Sequence, residues 1–221
     1  MNLRLPLAMS LVLFAAMVAI SVWGWFVLPD GVRLATHWGI DGQVNGTMSK
    51  ETGLVTGPAI ALGLLLLLLL VPRIEPRREN LIASRKAFFA FWIGGLTVLA
   101  LIHALVVFNA AGIVTDVPGA VMIAVPVMIG VGGNYLGKVR PNFFLGVRTP
   151  WTLSSDLSWE KSHRVMARLF VFSALAALAT RFAIGTTAAG VVLAATLTAS
   201  ALIGIASSYV YWKHDPERRT T

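Results

Sequence analysis

The chain contains no cysteine. That absence excludes disulfide staples, thiolate-bound zinc and thiol catalysis, and it leaves the redox compartment open. Charge is scarce too: 13% of residues are Asp, Glu, Lys or Arg, against about 25% in a soluble domain. Acids are the scarcer sign, with 10 Asp and Glu against 18 Lys and Arg, for a net charge of +8. No Gly-x-Ser-x-Gly, no His-Glu-x-x-His and no paired carboxylates within an apolar run occur. The usual hydrolase patterns are therefore missing, and no enzymatic activity and no cofactor are expected.

What is present is hydrophobic, at 57% of residues. A helix crossing the hydrocarbon core needs about 20 largely apolar residues, and six segments qualify: 7–28, 53–71, 87–109, 117–133, 165–183 and 186–209. The expected fold is an all-α integral membrane protein of six transmembrane helices. Pro118 and Pro126 interrupt the fourth segment, which a membrane helix tolerates when its neighbours satisfy the freed carbonyl. The first segment follows Arg4 as a signal peptide would. It is longer than the roughly 7–15 residues of a signal core and lacks a small-residue cleavage site, so it is expected to stay as an anchor.

The basic residues orient the chain. With the amino terminus inside, fifteen of the 18 fall on the inner side, and only Arg33, Lys50 and Arg181 lie outside. Such asymmetry predicts both termini in the cytoplasm. It also accounts for the net positive charge without a nucleic-acid partner, leaving the lipid bilayer as the first partner. Two regions follow: residues 1–86, two spans with an outward loop at 29–52, and residues 87–221, four spans with a cytoplasmic loop at 134–164.

The outward loop, LPDGVRLATHWGIDGQVNGTMSKE, carries turn signals at Asp30-Gly31, Asp41-Gly42 and Asn45-Gly46. Such dipeptides supply the positive φ of tight hairpins, and a short β-hairpin on the membrane surface is expected. Ser49 is placed to cap the second helix, with Glu51 in its first turn. His37 and Trp38 stand together in this loop. They are either an interfacial anchor with a histidine bonded to the loop, or a receptor surface for an external ligand. No second His or Cys lies near enough to suggest a metal.

The cytoplasmic loop mixes Gly, Asn and Pro from Gly132 to Trp151, and a helix start follows at Ser154-Ser155-Asp156. On that helix Trp159, His163, Met166 and Phe170 share one face, and Glu160 and Arg164 form an i,i+4 pair on another. An amphipathic entry helix accounts for this spacing. It does not account for Asn142, Arg148 and Trp151, which a plain linker does not need. Asn142, Arg148 and His163 are expected as a polar cluster against the helix ends, either a structural keystone or a docking site.

The run GNYLGKVRPNFFLGVRTPWTLSSDLSWEKSHRVMARLF resembles the carboxy-terminal region of the SdpI family of bacterial membrane proteins. The matching positions include Gly133, Asn134, Lys138, Asn142, Phe143, Gly146, the stretch from Arg148 to Leu153, Trp159, Ser162, His163 and Arg164. Arg140-Pro141 ahead of Asn142 departs from the pattern. The outward loop is similar to the uncharacterised amino-terminal domain that often accompanies this region. The resemblance implies a multi-pass protein of the bacterial plasma membrane, an immunity and receptor role against an extracellular toxic peptide, and recruitment of a cytoplasmic repressor. In that reading the ligand meets His37 and Trp38 outside, and the regulator meets Asn142, Arg148, Trp151 and His163 inside. The alternative is a small-solute or proton-coupled transporter, to which His103, mid-way along the third span, is the pointer.

Overall fold

Six long helices account for most of the computed structural model, which describes residues 1–39 and 41–218. They are α1 (Arg4–Val27), α2 (Lys50–Ile74), α4 (Arg85–Ala110), α5 (Val117–Leu136), α7 (Asp156–Ala183) and α8 (Thr186–Lys213). All six are long and apolar enough to cross a membrane, at 20 to 28 residues each. A rise of 1.5 Å per residue makes them about 30–42 Å long, which matches or exceeds a hydrocarbon core of about 30 Å. Two strands, β1 (Arg33–Trp38) and β2 (Val44–Ser49), and two short helices, α3 (Arg78–Ala83) and α6 (Pro150–Ser154), complete the described elements.

The helix starts follow their capping residues. Ser49 accepts a hydrogen bond from the Thr52 amide, and Glu51 lies in the first turn of α2. Asp116 accepts from the Gly119 amide at 2.8 Å and opens α5, where Pro118 sits in the first turn. A proline there loses nothing, because the first-turn amides have no intrahelical acceptor. Pro126 lies inside α5 and is buried, and the helix continues past it.

Two packing layers result. Met17 of α1, Ala61 and Leu65 of α2, and Trp92 and Leu96 of α4 form one core, in which the Trp92 indole donates to Ser10 Oγ at 2.8 Å. The second layer rests on small residues: Ser173, Ala174 and Ala177 of α7 and Ala189, Ser200, Gly204 and Ser208 of α8 are buried, and Ser173 Oγ lies 3.4 Å from Ser200 Oγ across the two helices. Without a hydrophobic drive between helices in lipid, such residues let backbones approach and exchange hydrogen bonds. Ser158 Oγ accordingly donates to the Ser208 carbonyl at 2.6 Å. Helix α4 joins the layers, packing on α1 and α2 and also on α5.

The bundle has two distinct ends. At the hairpin end, β1 and β2 pair antiparallel, with Leu34 opposite Met48 and an irregularity between Ala35 and His37. Leu34 is fully buried against Leu28, Leu54 and Val107. The hairpin is tied down by Lys50, itself buried, whose ammonium donates to the Leu28 carbonyl at 2.6 Å and to Asp30 at 3.2 Å. A cation there meets the negative end of α1. The opposite, basic end carries the loop between α5 and α7.

Candidate functional site

At the basic end the irregular loop is held by side chains pointing inward. Asn142 is fully buried. Its Oδ1 accepts from the amides of Phe144 (2.9 Å) and Leu145 (2.6 Å), and its Nδ2 donates to the carbonyls of Arg140 (2.8 Å) and Leu145 (3.0 Å). One amide side chain thus uses its whole donor and acceptor capacity on one turn of backbone. His163 is equally buried, stacked on Trp159 with ring centroids 4.1 Å apart. The Val147 amide donates to His163 Nε2 at 2.9 Å, and His163 Nδ1 lies 2.8 Å from the Trp159 carbonyl. An accepting Nε2 and a donating Nδ1 define a neutral ring. Gly146 sits directly over that ring at φ +114°, where a Cβ would overlap Nε2.

The stretch Thr149-Pro150-Trp151-Thr152 folds as α6. Thr149 Oγ1 accepts from the Thr152 amide and Thr152 Oγ1 accepts from the Thr149 amide, a reciprocal capping box with Pro150 in the first turn. Thr152 Oγ1 also lies 2.9 Å from the Val147 carbonyl. Trp151 is half-buried, edge-on to Tyr209 of α8 at 5.2 Å. Arg148 lies outside this arrangement: it is exposed and donates once, to the Phe143 carbonyl at 2.6 Å. Of the sequence candidates, Asn142 and His163 are therefore brought into one buried network, while Arg148 and Trp151 border its outer surface.

Several residues that sequence reasoning did not single out complete the network. Glu75 is buried, accepting from the amides of Arg77 (2.8 Å) and Phe143 (3.0 Å). Arg77 donates to the Leu153 carbonyl at 3.0 Å and lies over the Phe143 ring, and Asn80 donates to the Pro141 carbonyl at 2.8 Å. Asp215 accepts from the Ser155 hydroxyl at 2.5 Å. Apart from the Glu75–Arg77 contact, each partner lies 60 or more residues away in the chain, so no local spacing marks it.

At the hairpin end His37 is exposed and bonded through Nδ1 to Asn45 Oδ1. Trp38 is half-buried against the core of Leu28, Leu34 and Val107. Both border a cavity of about 430 Å³ whose other walls are Ile102 of α4, Val117, Val121 and Met122 of α5, and Thr187 and Gly190 of α8. His37 and Trp38 thus lie at the opposite end of the bundle from Asn142, Arg148, Trp151 and His163.

His103 is buried within α4, its Nε2 2.9 Å from Ser21 Oγ of α1. Ser21 Oγ is also 2.7 Å from the Leu54 carbonyl of α2, so one polar contact links three helices. Gly57 leaves the ring its room, since a Cβ there would overlap the imidazole. Among the described residues, no group of three or more His, Asp or Glu side chains is arranged to hold a metal.

Residues 138–208 match the model of the SdpI/YfhL protein family. Over that stretch the chain is similar to the family. Ahead of the SdpI region, residues 12–62 match a domain of unknown function, DUF1648. No curated protein and no solved structure matches the chain. The two matched regions hold the two ends described above. The SdpI region spans the loop from Lys138 onward with α6, α7 and most of α8, and the DUF1648 region contains the whole hairpin.

Proposed function

We propose that this protein is a non-enzymatic immunity receptor of the bacterial plasma membrane, whose extracellular ligand is a toxic peptide received in the hairpin-end cavity. One observation carries the reading: the cavity is where the two family regions meet. Thr36, His37 and Trp38 come from the DUF1648 region, and Thr186, Thr187 and Gly190 from the SdpI region. A concave, mainly apolar space with a few polar groups at its edge is the usual form of a binding site. Similarity to the SdpI family supports an immunity-type role. The basic distribution of Lys and Arg supports placing the hairpin end outside, where a secreted peptide arrives.

The exposed Arg148 and the half-buried Trp151 are the surface offered to a cytoplasmic regulator, a composition suited to an acidic protein patch. They are displayed on a loop whose backbone is fixed from beneath, so little ordering cost attends docking.

Survival measures the proposal. A deletion strain exposed to spent medium of kin cells should die at doses that the complemented strain survives, and protease treatment of the medium should remove the difference. Filling the cavity with Val121→Trp, or removing its wall with Trp38→Ala, should abolish protection at unchanged membrane abundance. Equal survival of the deletion and complemented strains at every dose would end the immunity reading.

A further inference from the structure

Where α5 ends and α7 begins, Gly137, Val139 and Trp159 contribute to a second cavity, of about 330 Å³. Its charged lining carries both signs: Lys138, Arg140 and Arg164, with Asp156 and Glu160. Arg164 and Glu160, one turn apart on α7, form an ion pair. The remaining three stay apart: among the described residues, Lys138, Arg140 and Asp156 enter no ion pair. Opposite charges that border one cavity without neutralising each other are complementary to a ligand that itself carries both. The location narrows the ligand further. The cavity lies at the ends of two membrane-length helices, so a bilayer crossed by those helices would bring its headgroups beside it, and Tyr135 lies under Lys138 at 5.8 Å.

We propose that this cavity binds the headgroup of phosphatidylethanolamine, with its phosphate on Lys138 and Arg140 and its primary ammonium on Asp156. The choice among lipids follows from hydrogen bonding. The N–H donors of the ethanolamine ammonium can bond the Asp156 carboxylate in a charge-assisted contact. Phosphatidylcholine presents a quaternary ammonium with no donor, which proteins hold instead on open aromatic faces. Here Trp159 is buried, with the His163 ring stacked against it. Phosphatidylglycerol brings no cation and leaves the unpaired Asp156 beside an added anion. A merely basic membrane face would favour phosphatidylglycerol, so the expected selectivity runs opposite to the general field of this end.

The test uses the full chain in neutral detergent, titrated with each of the three lipids and followed by native mass spectrometry and thermal unfolding. The wild-type protein should retain phosphatidylethanolamine at about tenfold lower lipid concentration than either competitor, the value of one charge-assisted contact in a partly solvated site. Asp156→Asn, which leaves the Arg164–Glu160 pair intact, should erase the preference over phosphatidylglycerol while lipid binding persists. Lys138→Gln with Arg140→Gln should weaken both lipids alike. Wild-type protein that prefers phosphatidylglycerol, or binds the two equally, overturns the assignment, as does displacement of the lipid by equimolar inorganic phosphate. The ranking is read on the unmodified protein, so a variant that folds poorly does not remove the test.

Discussion

Asn142 holds the basic-end loop more completely than any other single residue, because four backbone groups depend on its side chain. Asn142→Ala strands those groups in a buried setting, where each unpaired donor or acceptor costs about 1–3 kcal/mol. Relaxation and entering water recover part of the loss, so the expected destabilisation is on the order of 3 kcal/mol, read as a lowered melting temperature in detergent. Arg148→Lys should behave differently. Arg148 is exposed with one hydrogen bond, so the change should stay within about 1 kcal/mol while weakening any regulator docking. Equal thermal losses for the two variants would refute this division of roles. The sequence motif marks Asn142, Arg148 and His163 alike, since spacing says nothing of which side chains turn inward. Burial separates them: two enter the fold, and the third stays at its surface.

Elements with a strong period or a clear cap were legible in the sequence. The six apolar runs became α1, α2, α4, α5, α7 and α8, and Ser49 capped α2. Asp30-Gly31 and Asp41-Gly42 flank a hairpin strand with each glycine at φ +79°, but Asn45-Gly46, expected as a turn, lies within β2, where Gly46 pairs with His37. Helix α7 starts as the hydroxyl-then-acid pattern implies, with Ser155 accepting from the Ser158 amide at 2.9 Å. The short helices α3 and α6, of 6 and 5 residues, were not legible. One or two turns give no period to read, and tertiary partners such as Ser208, which meets Thr149 at 3.1 Å, hold α6 in place. The same scale decides His103. It joins α4 to α1 through Ser21, yet Ser21 keeps the Leu54 carbonyl as an acceptor when the ring is removed. His103→Asn or His103→Leu should therefore leave protection within a few-fold of wild type. Complete loss at normal membrane abundance would instead favour proton-coupled transport.

At the scale of the whole molecule the two ends are joined by different parts of the chain. The hairpin-end cavity is shared by the two matched regions. The basic-end loop leans on Glu75, Arg77 and Asn80, which lie in neither. Which end faces out is a matter of charge: among the described basic residues, only Arg33, Lys50 and Arg181 belong to the hairpin side. By the positive-inside rule the hairpin is expected in the extracytoplasmic space and Arg148 in the cytoplasm. The absence of cysteine makes this directly measurable, because a single introduced thiol is the only one in the chain. Asn45→Cys, in the exposed β2 strand, should react with a membrane-impermeant maleimide on intact cells or spheroplasts. Arg148→Cys should react only after the membrane is opened. Asn45 partners His37, so its loss touches the cavity edge but not the span count. Labelling of Arg148→Cys from outside, with Asn45→Cys protected, would invert the protein and move the peptide-facing site to the wrong side of the membrane.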